Sequence, residues 1–240
     1  MRPPRGDAPE QSAGSTPFGA PAFTGALVLS EADAIAGESR PVEAVVYDVG
    51  RVLVRWDLRC LYGQLIDNPA RLEWFVNTVV TEGWHYQHDA GRDLAEMVAE
   101  RKREFPAEAD LIDAYATRFL ETIPGPVEGA YAIVERLADQ GIPLYAITNF
   151  ASLFWTQFRP TQPVFEHFRD IVVSGDEKIA KPDARIFELA ARRFGHAPGA
   201  MLFIDDNAAN IASARALGWQ VHHFTDVALL EQDLTARGLL

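Results

Sequence analysis

The sequence predicts an α/β protein, with a parallel sheet covered by helices on both faces and an all-helical segment inserted into it. Three observations carry this. Short apolar runs rich in β-branched residues recur along the chain. Helix-period segments that stop at glycine alternate with them. A single long stretch has helical periodicity and almost no strand-like run. Alternating strands and helices favour a parallel sheet, because each crossover helix packs back onto the sheet it left.

Residues 1–41 read as a separate segment. Pro3, Pro4, Pro9, Pro17, Pro21 and Pro41 lie among scattered Gly, Ala and Ser, a composition that gains little by burial and favours an extended or poorly ordered tail. The first strand follows abruptly at residues 42–47. Later apolar runs at 142–147, 170–173, 201–204 and 220–224 give four more strands. Between them, 127–140 has apolar residues at three- and four-residue steps before Gly141, 184–194 stops at Gly195, and 208–217 stops at Gly218. Residues 71–80, 94–105 and 111–121 supply the helices of the inserted segment, which Pro124-Gly125-Pro126 ends. The expected division is a tail over 1–41, a core over 42–56 and 125–240, and a helical cap over 57–124.

Composition narrows the function. The chain has 240 residues, 22 basic against 34 acidic, for a formal net charge of −12. Such a surface repels a phosphate backbone, which argues against nucleic acid as a partner. No apolar run is long enough to span a membrane. Cys60, the single cysteine, cannot form an internal disulfide and suits a reducing compartment, so a cytoplasmic location is expected. It reads as apolar filler, with no partner base beside it in the sequence. Three lysines stand against 19 arginines, an Arg- and Ala-rich usage that suggests a GC-rich bacterial source.

In open α/β sheets, ligands bind beyond the carboxyl ends of the strands. There the sequence sets Asp48-Val49-Gly50 after the first strand and Thr148-Asn149 after the second. Lys181-Pro182 precedes one helix, and Asp205-Asp206-Asn207 follows the fourth strand. Taken singly, each is an ordinary cap or turn. Together they offer clustered carboxylates, which repel unless a cation lies between them, and Mg²⁺ favours such oxygen ligands. An ammonium and a hydroxyl beside that ion suit a phosphoryl group. A carboxylate aimed at phosphorus can attack it.

The strings VVYDVGRVLV, AITNF, KIAKPDARIF and FIDDNAANI resemble, in order and spacing, the haloacid dehalogenase superfamily, whose members are mostly magnesium-dependent phosphatases. The form is most similar to bacterial sugar-phosphate phosphatases acting on glucose 1-phosphate. The resemblance implies a Rossmann-like core, a helical cap, Mg²⁺ as cofactor and a small phosphorylated metabolite as substrate, with an aspartyl-phosphate intermediate. Carried over by position, Asp48 would be the nucleophile, and Thr148 and Asn149 would hold phosphoryl oxygens. Lys181, preferred to Lys178 because it directly precedes the proline, would pair with the phosphate and Asp48. Asp48, the Gly50 carbonyl, Asp205 and Asp206 would surround the metal.

The departure is Gly50, where most phosphatases of the superfamily carry an Asp that acts as general acid and base. A glycine cannot protonate a leaving alkoxide, a contribution typically worth about 10²–10⁴-fold. The readings left open are a preference for leaving groups of low pKa, a proton from cap residues such as His85, His88 or Asp57, a hydrolytic 2-haloacid dehalogenase, and a weakly active or non-enzymatic binding protein. Trp84, Tyr86 and Trp155 are candidates for a substrate wall or for plain core. His222 and His223 read as structural. The sequence leaves the oligomeric state open.

Overall fold

The structure, a computed structural model, describes residues 41–240; apart from Pro41, the expected tail lies outside the described residues. The chain enters through strand β1 (Ala44–Tyr47) and a short β2 (Val54–Arg55). Helices α1 (Leu58–Tyr62), α2 (Pro69–Thr78), α3 (Glu82–Asp89), α4 (Leu94–Glu104) and α5 (Ala109–Arg118) come next. Strand β3 (Gly125–Pro126) closes that segment by pairing antiparallel with β2, so the helical insertion leaves and returns through one two-stranded stem. The remainder alternates as the sequence predicts. In chain order it runs α6 (Ala130–Asp139), β4 (Leu144–Thr148), α7 (Ser152–Phe158), β5 (Phe168–Val173), α8 (Ser174–Glu177), α9 (Ala184–Phe194), β6 (Met201–Asp205), α10 (Ala208–Ala216), β7 (Gln220–His223) and α11 (Val227–Ala236).

The five long strands form one parallel sheet in the order β5-β4-β1-β6-β7. Period-two alternation sorts their side chains between two cores. Val45, Tyr47, Leu144, Ala146, Leu202 and Ile204 join one cluster with Ile133 and Leu137 of α6 and Leu230 and Leu234 of α11. Ala44, Val46, Tyr145, Ile147, Met201 and Phe203 join the other, with Ile186, Phe187 and Ala190 of α9 and Ile211 of α10. Both sheet faces are therefore buried, which is why these strands read as continuous apolar runs. Glycine ends the crossover helices for a backbone reason: Gly141, Gly195 and Gly218 all have positive φ.

The first cluster continues without a break into the inserted helices through Leu61, Tyr62, Phe75, Met97, Ile112, Tyr115 and Phe119. The helices of 58–122 and the sheet thus share one apolar interior. Strand order reverses at β1, since the chain builds β4 and β5 on one side of it and β6 and β7 on the other. That switch point is where such sheets open a crevice.

Candidate active site

Register brings the acidic residues together. Tyr47 pairs with Ile204 on one side and Ala146 on the other, so the residues that follow, Asp48, Asp205 and Thr148, emerge beside one another. The Asp48 N–H donates to the Ile204 carbonyl at 2.8 Å, extending the ladder by one bond. Asp48, Asp205 and Asp206 each bring a carboxylate oxygen within 4.8 Å of the others. Lys181, 1% exposed, sets its Nζ 2.8 Å from Asp48 Oδ1 and 2.7 Å from Asp205 Oδ2.

Each member is braced. Asp48 Oδ1 also accepts from the Val49 N–H at 2.6 Å, which leaves Oδ2 as its outward oxygen. Asp205, fully buried, accepts from the Asn207 N–H at 2.7 Å and from Asn210 Nδ2 at 3.0 Å on both oxygens. The Asp206 carbonyl accepts from His223 Nε2 at 2.9 Å. Asn149 clasps the main chain of Lys181: its Oδ1 accepts from the Lys181 N–H at 2.8 Å and its Nδ2 donates to the Lys181 carbonyl at 2.9 Å. Thr148 Oγ1 is buried without a hydrogen-bond partner among the described residues.

The charges do not balance. Burial raises the Asp48 carboxyl well above its ordinary range; Lys181 opposes this, while Asp205 and Asp206 add to it. Burial and then Asp205 push Asp206 up as well, with Arg51 and Lys181 pulling the other way. Burial alone would lower the Lys181 ammonium, but Asp205 and Asp48 outweigh it and hold it above its usual value. Three carboxylates against one ammonium leave two negative charges at the crevice floor. An all-oxygen donor set with that deficit fits a hard divalent cation.

Above this floor lies a cavity of about 300 Å³. Asp48, Gly50, Asn149, Lys181, Asp206 and Asn210 form its base. Val54, Trp56, Phe119, Ile123 and Phe150 line it beside Arg51, Glu82, His85, Tyr86 and Asp89. Gly50 faces open space, since nothing stands within 4 Å of where a Cβ would be.

The predicted residues divide accordingly. Asp48, Gly50, Asn149, Lys181 and Asp206 reach the cavity, with Asp205 directly behind Lys181 and Thr148 at the adjacent strand end. His85 reaches it too, but with both ring nitrogens engaged: Nε2 lies 3.0 Å from Asp89 Oδ2 and Nδ1 lies 2.6 Å from the Tyr115 hydroxyl. Its ring stacks between Trp56 and Phe119. His88 does not line the cavity. Three residues along α3 carry it round the helix from His85, and it packs on Phe154 with Nδ1 donating to the Arg92 carbonyl at 2.9 Å. Asp57 caps α1 through the Arg59 N–H at 2.8 Å and is absent from the cavity lining. Trp84 and Trp155 are core, 3% and 7% exposed, so Tyr86 is the one aromatic of the three at the site. His222 pairs with Asp233 at 3.0 Å, a structural contact.

The sequence reading did not single out Asn210, Arg51, Trp56 or Phe119. Asn210 had a local signal, standing one helical turn after Asn207 in the same motif. Trp56 and Phe119 had none, since they lie far apart in sequence and meet only across the stem.

A haloacid dehalogenase-like hydrolase family model matches residues 26–218. The sesquiterpene phosphatase astK of Aspergillus oryzae is 23% identical over 188 residues, 77% of this chain and 90% of that protein. The (S)-2-haloacid dehalogenase of Pseudomonas putida is 30% identical over 88 residues, 37% of this chain and 39% of that one. Among solved structures, an HAD family enzyme of Bacteroides thetaiotaomicron in complex with magnesium and inorganic phosphate superposes with a TM-score of 0.57 at 19% identity, covering 77% of this chain and 95% of its own. With the parallel sheet, the inserted helices and the carboxylate–lysine cluster at the switch point, the match over most of its length makes this chain a member of the haloacid dehalogenase-like hydrolases.

Proposed function

We propose that the protein is a Mg²⁺-dependent phosphatase that hydrolyses a small phosphorylated metabolite, with Asp48 as nucleophile. One observation carries the reading: Lys181 is buried between Asp48 and Asp205 at a crevice floor that keeps two uncompensated negative charges. Asp48, Asp206 and the Gly50 carbonyl would hold the cation, with Asp205 behind them, and the ion would supply charge neutralisation for a bound phosphoryl group. The likeness to a phosphatase along most of both chains supports the same reaction class.

The chain's own groups then divide the work. Val49 and Lys181 anchor Asp48 Oδ1, so Oδ2 is the oxygen that forms the bond to phosphorus as the bond to the leaving oxygen breaks. Lys181 stays charged and lies where it offsets both Asp48 and the incoming phosphoryl oxygens. Thr148 Oγ1, a buried hydroxyl without a protein partner, suits a phosphoryl oxygen, because leaving such a group unpaired is costly. Asn149 acts chiefly by fixing the Lys181 backbone. Water then cleaves the acyl phosphate, releasing inorganic phosphate and restoring the Asp48 carboxylate.

A screen of phosphate monoesters with and without Mg²⁺ tests this. Turnover should require the metal and should vanish in Asp48→Asn; turnover undiminished by EDTA would reject the reading. Gly50 and the similarity to a haloacid dehalogenase favour one rival, since a halide leaves without a proton. Halide release from 2-chloropropionate in EDTA would establish that rival.

A further inference from the structure

The cavity wall bears on which phosphate ester enters, an inference that rests on the phosphatase reading above. Beyond the acidic floor, the wall presents Val54, Trp56, Phe119, Ile123 and Phe150. Most polar groups among them are already used. Arg51 pairs with Glu82 and lies over the Trp56 ring, 4.8 Å from its centroid. Both nitrogens of His85 are engaged, and the Tyr86 hydroxyl donates to the Lys181 carbonyl at 3.2 Å. Asn149 and Asn210 hold Lys181 and Asp205. The clear exceptions on the wall are Trp56 Nε1 and Asp89 Oδ1, both buried without partners among the described residues. A polyhydroxylated sugar gives up many hydrogen bonds to water on entering, and this wall returns few of them.

A second, independent observation concerns the proton. Gly50 has none to give, and neither nitrogen of His85 is free to give one. A leaving oxygen that departs unprotonated must be weakly basic, as a phenolate is and a sugar alkoxide is not.

We propose that the organic half of the substrate is aromatic: an aryl phosphate whose ring lies against Trp56 and the Phe119–Phe150 side of the cavity. The phosphoryl group passes to Asp48, the aryl C–O bond stays intact, and the phenolate leaves with the electron pair of the broken P–O bond, taking its proton from water afterwards. Trp56 is then a specificity-determining residue, since it is the aromatic side chain that stacks on His85 from the β2 side.

The test compares phenyl phosphate, glucose 1-phosphate and acetyl phosphate with the Mg²⁺ holoenzyme, wild type and Trp56→Ala. Acetyl phosphate has an equally labile leaving group but no ring. We expect kcat/KM for phenyl phosphate to exceed that for glucose 1-phosphate by about tenfold or more. Trp56→Ala should raise KM about tenfold for phenyl phosphate and less than about twofold for acetyl phosphate, with Trp56→Phe restoring most of the loss. Binding of phenylphosphonate, read by tryptophan fluorescence, checks the pocket without turnover and should weaken in Trp56→Ala. Glucose 1-phosphate hydrolysed as well as phenyl phosphate, or equal losses on both ring and ringless substrates, would overturn the aromatic assignment and leave the phosphatase reading intact. Binding of phenylphosphonate with no hydrolysis of any ester would do the reverse.

Discussion

Lys181→Met removes one charge and almost no volume from the most buried part of the site. In the native protein the ammonium touches Asp48 at 2.8 Å and Asp205 at 2.7 Å and is 1% exposed. At an effective dielectric of about 20, each contact is worth about 6 kcal/mol of Coulomb attraction. Much of that is offset by the desolvation of three ions, so the net loss on breaking such a buried cluster is about 3–5 kcal/mol. For a domain of this size, about 2–4 °C of melting temperature goes with each kcal/mol, which puts the expected drop near 10 °C. Circular dichroism melts in EDTA at pH 7.5 measure it. The sign of the pH dependence follows from Asp48, whose carboxyl burial already raises. A group raised above its unfolded value contributes stability that is complete below the unfolded value, about 3.9, and lost as pH rises through the folded one. Removing the lysine raises it further, so the variant's deficit should shrink as pH falls toward 5. Mg²⁺ should restore part of the stability without restoring turnover. A variant that melts within about 2 °C of wild type in EDTA at pH 7.5 would refute the claim that these carboxylates are ionised and held by one cation.

Gly50→Asp tests the proton deficit. The position is open to a side chain, and a carboxyl there should flatten the dependence of rate on leaving-group pKa, with gains on alkyl phosphates of up to about 10²–10⁴-fold. A flat dependence in the wild type would instead mean that a cavity group such as Asp89 already supplies the proton. Asn210→Ala removes the amide that holds both Asp205 oxygens and should weaken Mg²⁺ activation about 10–100-fold, read from rate against free Mg²⁺. His85→Phe keeps the ring between Trp56 and Phe119 but loses the Asp89 and Tyr115 contacts. It should lower the melting temperature and leave the pH profile of kcat unchanged; loss of a titration from that profile would give His85 a role in catalysis.

The sheet and its floor were legible in the sequence because their signals are local. Each strand buries both faces, so β1, β4 and β6 announce themselves as apolar runs of four or five residues. Each crossover helix ends at a glycine whose backbone turns left-handed. Asp48, Thr148, Asp205 and Lys181 could be picked out because strand ends in one parallel sheet share an edge. The α3 helix was harder to assign: Glu82–Asp89 has the composition of a polar loop and is held by the packing of Trp84 and His85 on Tyr115. The β2–β3 stem was equally hidden, being a pairing of two short segments about seventy residues apart.

Chain order and residue type alone determined that carboxylates, a hydroxyl and a lysine would meet at one end of a parallel sheet, because register in such a sheet is dictated by the strands themselves. Only the tertiary structure decided what faces that floor. It turned His85 inward between two aromatic rings and His88 away, spent the Asn149 amide on the Lys181 backbone, and brought Trp56 to Phe119 across the stem. Those choices depend on packing between segments far apart in sequence, where neither period nor spacing carries information.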